Sequence, residues 1–163
     1  MPQSNSTDYP SFITNPADGS KIAYHQTPAI DLNRATGVVF LGGFRSDMNG
    51  AKAVALDVWC KKEGRQFLRF DYTGHGQSSG RFEDGTISAW ARDAIFAIEN
   101  LTDGPVVLVG SSMGGWIMML VAMAINSRIK GMVGLAAAPD FTHDLMEHEL
   151  TPAKIRNRKK RAH

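Results

Sequence analysis

Val106–Trp116, VVLVGSSMGGW, sets a serine between two glycines in the pattern G-x-S-x-G, directly after a run of aliphatic residues. With Gly and Ser each near 7% of residues, the pattern alone arises by chance in roughly one chain of this length in twenty, so its surroundings decide what Ser112 is. The short continuous apolar run before it, opened by Pro105, reads as a strand covered on both faces, and a helix begins at about Met113. A serine on so sharp a strand-to-helix turn holds its hydroxyl out over the end of the sheet, the context a nucleophile elbow requires. Gly110 and Gly114 are then small because strand and helix pass too close for a Cβ at either. The helix start offers free N–H groups and the positive end of its dipole to a developing oxyanion. The alternative is a serine that merely caps that helix.

Strands and helices alternate outward from this segment. Thr36–Gly43, TGVVFLGG, is another apolar run, ended by glycines. The helix after it spans about Gly50 to Glu63, with Ala53, Val54, Leu56, Val58 and Trp59 as its apolar side and Gly64 as its stop. RQFLRFDY is a strand that runs into the glycine-rich TGHGQSSG, and a helix from about Thr86 to Leu101 follows. Thr86 or Ser88 caps that helix, and Ala91, Ala94, Ile95 and Ile98 recur at helical spacing. GMVGLAAAP gives one more strand before Pro139, while SFITNPADGSKIAYHQT reads as an opening hairpin that turns around Asp18-Gly19. This order predicts an α/β fold of three layers: a mostly parallel sheet with helices on both faces and a ligand crevice at the carboxyl ends of the strands.

The chain of 163 residues is one domain's worth, expected over 1–153, with a basic tail over 154–163. Its hydrophobic fraction of 43% and charged fraction of 21% are those of a soluble globular protein. No apolar run approaches the roughly eighteen residues needed to span a bilayer, so no membrane association is expected. The beginning, MPQSNSTDYPSF, has neither a basic start nor a hydrophobic stretch, which predicts a cytoplasmic protein without a secretory signal. The single cysteine, Cys60, rules out an internal disulfide and reads as a small buried side chain in a helix. The net charge of +2 is a property of the tail: KIRNRKKRAH holds six Lys or Arg and no acid, leaving 12 basic against 16 acidic residues, a body of −4. A nucleic-acid partner is therefore not expected.

An oxyanion hole needs a second N–H from the loop after a neighbouring strand, and FLGGFRSDMNG supplies such a loop. The two donors are assigned to the N–H groups of Phe44 and Met113; the rival reading has Gly42 and Gly43 only ending a strand. DYTGHGQSSG fails as a dinucleotide fingerprint, since Ser79 stands where the third glycine is due, and no Walker lysine follows any glycine loop. His75 in that stretch reads as a structural turn histidine. His25, His75, His143, His148 and His163 show no metal-binding spacing, so neither metal nor cofactor is expected.

With these motifs in order the chain resembles the α/β-hydrolase superfamily. Within it, GGFRSDMNGAKA, FDYTGHGQSSG, DGPVVLVGSSMGGWIMML and AAAPDFT are most similar to the mycophenolic acid acyl-glucuronide esterase and palmitoyl-protein thioesterase group and its bacterial relatives, over about Ala23 to Leu150. The resemblance implies a serine hydrolase acting on small-molecule esters or thioesters through an acyl-enzyme on Ser112, without a cofactor. The chain departs from the family at Gly42, where many relatives carry histidine or proline.

A larger departure is the C-terminal side. The family's triad runs Ser, then Asp or Glu, then His on later loops, whereas this chain ends about fifty residues past Ser112 after one further strand. The fold is thus expected to be truncated after the strand that follows the nucleophile helix. Asp140 follows that strand where some lipase relatives carry their acid, and His143 and His148 are the chain's own base candidates. The alternative function is an inactive fragment or pseudoenzyme that binds an acyl ligand or partner without turnover. The last strand, left as an unpaired apolar edge, is a template for self-association.

Overall fold

The computed structural model describes residues 9–30 and 36–139. Strands β1 (Ser11–Thr14), β2 (Lys21–Thr27), β3 (Gly37–Leu41), β4 (Phe67–Phe70), β5 (Val106–Ser111) and β6 (Ile129–Leu135) alternate from β3 onward with helices α1 (Ala51–Lys62), α2 (Ile87–Leu101) and α3 (Met113–Ala124). They form one sheet in the order β1-β2-β4-β3-β5-β6. The hairpin β1–β2 is antiparallel and β2 joins β4 antiparallel, while β4, β3, β5 and β6 are mutually parallel.

Alternation along β3 sorts the core into two layers. Val39 and Leu41 point to the face covered by α2 and α3, together with Leu68, Phe70, Leu108, Ala94, Ile98, Ile117 and Val121. Val38 and Phe40 point to the other face, with Phe67, Val109 and the α1 residues Ala53 and Cys60. The three-layer expectation holds, and the first face carries the larger core. The second is only partly covered: between α1 and β6 runs an apolar groove of about 550 Å³ bordered by Leu56, Trp59, Val107, Val133 and Leu135. Among the described residues β6 is the last strand on its side of the sheet, with Met132 51% and Val133 46% exposed. No helix among them is long and apolar enough to cross a membrane.

Helix α1 departs from its expected face. Val58 is 62% and Trp59 46% exposed and Val54 is also exposed, whereas Ala53, Asp57 and Cys60 are buried. Asp57 turns inward because its charge is met there: it accepts from Thr27 Oγ1 at 2.7 Å, from Arg69 Nε at 3.2 Å and from Lys61 Nζ at 3.3 Å. Burial pushes this carboxyl up, but those bonds together with the Lys61 charge overcome it and leave the pKa below the ordinary carboxylate value. Gly64, at φ 65°, stops α1 as expected, and Thr86 Oγ1 caps α2 by accepting the Ala89 N–H at 3.1 Å. Burial raises the Cys60 thiol pKa to about 11, as befits an inert packed side chain.

Candidate active site

Ser112 stands between β5 and α3 with φ 52° and ψ −117°, a conformation that costs a non-glycine residue on the order of 1–3 kcal/mol. The surrounding backbone enforces it. The Ser112 N–H donates to Leu135 O at 3.1 Å, and its carbonyl accepts from Gly115 N–H at 2.9 Å and Ala138 N–H at 3.1 Å. The end of β6 and the first turn of α3 thus clamp both sides of one residue. The side chain makes no capping bond to α3, so its hydroxyl is not used as a helix cap.

The flanking glycines are small for a physical reason. A Cβ on Gly110 would come within 2.5 Å of Gly114 O, and one on Gly114 would overlap the Leu41 carbonyl and lie 2.7 Å from Gly42 O. Helix α3 therefore starts against the end of β3, which brings the β3–α1 loop to the serine. A Cβ on Gly43 would stand 3.5 Å from Ser112 Cβ and 3.4 Å from Ser111 O. Phe44 follows directly, and Met113, fully buried, opens α3. The two N–H groups assigned as donors thus belong to backbone next to Ser112 on two different elements. Asp140, His143 and His148 lie outside the described residues.

Beyond this, the loop is bent at Arg45, whose φ of 56° costs a non-glycine residue about 1 kcal/mol. The turn is tied by Ser46, whose Oγ at 2.8 Å and N–H at 3.3 Å both donate to Gly43 O. The Arg45 guanidinium lies 4.8 Å over the Phe82 ring. A cavity of about 280 Å³ borders Gly43, Ser46, Gly50, Lys52 and Ser111, and across it Lys52 Nζ donates to Ser111 Oγ at 3.2 Å.

The stretch Asp71–Gly80 has a structural task that motif reading missed. Asp71 accepts the Met48 N–H at 2.7 Å and the Gln77 N–H at 2.9 Å, tying the β3–α1 loop to the loop after β4. Gly76 is required there, since a Cβ would fall on the Asp71 carboxylate. Ser78 Oγ and Ser79 Oγ accept from the β2 backbone, from Ala23 N–H and Lys21 N–H, both at 2.8 Å. Asp93 holds the same loop from α2 by accepting from Thr73 N–H and Thr73 Oγ1. Burial raises the pKa of both Asp71 and Asp93, against the pull of these donors.

His75 is 3% exposed and boxed edge-on by Tyr72, Phe82 and Trp90, with centroids 5.4, 5.2 and 4.9 Å away. Its Nδ1 lies 3.3 Å from Thr73 O and, among the described residues, its Nε2 is buried without a partner; burial holds its pKa below the ordinary value. Among the described residues no three His, Cys, Asp or Glu side chains cluster as metal ligands do.

The comparisons agree with this fold. Residues 38–160 match the family model described as the alpha/beta hydrolase fold. The chain is 39% identical over 130 residues to palmitoyl-protein thioesterase ABHD10, mitochondrial, from Bos taurus and from Homo sapiens, covering 80% of this chain and 41% of each relative. It therefore spans about two-fifths of the length of these relatives. Alpha/beta hydrolase domain-containing protein 10 from mouse superposes with a TM-score of 0.80 at 34% identity, over 93% of this chain and 58% of that one. A putative hydrolase from Agrobacterium vitis S4 superposes with a TM-score of 0.78 at 38% identity, over 89% of this chain and 57% of that one. The chain belongs to the α/β-hydrolase family.

Proposed function

We propose that this chain carries the nucleophile and the oxyanion hole of a serine hydrolase of carboxylic esters or thioesters. The observation that carries the reading is Ser112 itself: a strained, doubly clamped serine between a buried strand and a helix start, its hydroxyl unused as a cap. Strain of this kind persists only where the surrounding structure over-determines it, and it concentrates where a side chain must be presented.

In the reaction, Ser112 Oγ attacks the acyl carbonyl carbon while a general base takes its proton. The carbonyl oxygen becomes an oxyanion that accepts from the Phe44 and Met113 N–H groups, helped by the positive end of α3. Collapse expels the alcohol or thiol, which takes up the proton, and leaves the acyl group on Ser112. Water then attacks the ester and releases the acid. Asp140 and His143, which follow β6, are this chain's candidates for acid and base. The thioesterase name of the ABHD10 relatives supports thioesters within the substrate class.

A fluorophosphonate probe tests the reading: it is expected to add one phosphonyl group to Ser112 and none to Ser112→Ala. Labelling that survives the substitution would remove Ser112 from the mechanism.

A further inference from the structure

The β3–α1 loop contains two consecutive carbonyls that are each held by a side chain. Tyr72 Oη donates to Gly42 O at 3.2 Å, and Ser46 donates to Gly43 O from Oγ at 2.8 Å and from its N–H at 3.3 Å. A trans peptide is planar, so its N–H points opposite to its C=O. Holding Gly42 O therefore aims the Gly43 N–H, and holding Gly43 O aims the Phe44 N–H. Two glycines in a row would otherwise make this the softest link of the loop. An oxyanion donor needs the opposite property, because its value comes from being oriented before charge develops.

Two further features fit a loop set for a purpose. The turn keeps Arg45 at φ 56°, against its preference, and the bonds to Gly43 O close that turn. Tyr72 is fully buried, its ring held edge-on to Phe70 at 5.3 Å and to His75 at 5.4 Å, which fixes the ring beside the loop. Burial raises the pKa of the Tyr72 phenol, which keeps it a donor at neutral pH.

We propose that Ser46 is a positioning residue that aims the Phe44 N–H at the oxyanion of the Ser112 adduct, and that Tyr72 supports it by fixing the preceding Gly42–Gly43 peptide plane. The proposal rests on the serine-hydrolase reading above. Neither side chain needs to touch substrate; each acts through the peptide plane it holds.

The test is binding of a short-chain alkyl trifluoromethyl ketone, followed by ¹⁹F NMR, to the wild type, Ser46→Ala, Ser46→Thr, Tyr72→Phe and Ser112→Ala. The ketone forms a hemiketal with the serine, and its oxygen occupies the place of the oxyanion. Ser46→Ala is expected to weaken the adduct about tenfold to a hundredfold, less than or equal to the loss of a whole donor. Ser46→Thr keeps the hydroxyl and is expected to restore affinity to within about threefold of wild type, and Tyr72→Phe to fall between. Ser46 is exposed, so its alanine variant stays folded and keeps the test valid if Tyr72→Phe does not fold. An adduct as tight in Ser46→Ala as in wild type, or as weak in Ser46→Thr as in Ser46→Ala, would overturn this proposal alone. A wild type that forms no adduct, or forms one that persists in Ser112→Ala, would overturn the serine-hydrolase reading and this proposal with it.

Discussion

Substituting Gly114 by alanine should destabilise the fold, because two opposing effects can be weighed from the geometry. Alanine is a better helix residue than glycine by about 1 kcal/mol, and Gly114 lies in the first turn of α3. Against this, the new Cβ would stand 2.7 Å from Gly42 O and closer still to Leu41 O, where ordinary contact begins at 3.4 Å. The Leu41 carbonyl sets the requirement: a gap of more than about 1 Å must open between a helix and a strand, and backbone atoms have no rotamer to retreat into. Overpacking costs about 1–3 kcal/mol, and this contact belongs at the upper end. The net loss is then about 2 kcal/mol, which lowers the melting temperature of a chain this size by about 4–8 °C. Gly131→Ala is the control: its Cβ meets nothing nearer than a Val107 methyl at 3.6 Å, so it should be neutral or stabilising by up to about 1 kcal/mol. Thermal unfolding followed by circular dichroism measures both. A Gly114→Ala variant that melts at or above the wild type would refute the close-approach argument.

Three other outcomes follow from buried or exposed groups. Asp57→Ala removes the carboxylate that accepts from Thr27, Lys61 and the buried Arg69, which keeps its bonds to Met48 O and Asn49 Oδ1, and should cost about 1–3 kcal/mol by urea unfolding. Because the folded pKa of Asp57 is depressed, its stabilisation is present above the unfolded carboxylate pKa and is lost as pH falls through the lower folded value; Asp57→Asn should lack that acid-side loss. The folded pKa of His75 is also depressed, so the unfolded chain takes up the proton first. Stability should fall as pH drops below the ordinary histidine value of 6.5, by at most about 1.4 kcal/mol per pH unit, and His75→Phe should flatten that limb. The half-exposed β6 edge should drive self-association: light scattering is expected to show dimers or larger species, reduced in Val133→Lys, and a clean wild-type monomer would contradict this.

Much of the architecture was legible because it is written in short-range patterns. The apolar runs at Val38–Leu41 and Val106–Val109 are central strands, the first covered on both faces and the second open at Val107 to the groove beside α1, and Asp18-Gly19, Gly64 and Thr86 end or begin elements where their chemistry says they should. Hydrophobicity is a poor guide to the inner face of α1, where Val58 and Trp59 are exposed and Asp57 is buried. Asp57 is inside through partners 12 and 30 residues away, which no local period reveals. The last strand begins at Ile129 rather than Gly131, since its pairing with β5 extends past the glycine across a register shift. Around the serine, the local motif G-S-S-M-G was readable, as was the neighbouring loop. The ties that set that loop were not: Asp71 to Met48 spans 23 residues and Tyr72 to Gly42 spans 30, joining motifs that looked independent.

The most direct test of the account is intact-mass and peptide mapping of this chain after exposure to a fluorophosphonate, alongside Ser112→Ala. The account predicts a single phosphonyl adduct, on the peptide that contains Ser112, absent from the variant. An adduct on another residue, or one of equal yield in Ser112→Ala, would contradict it.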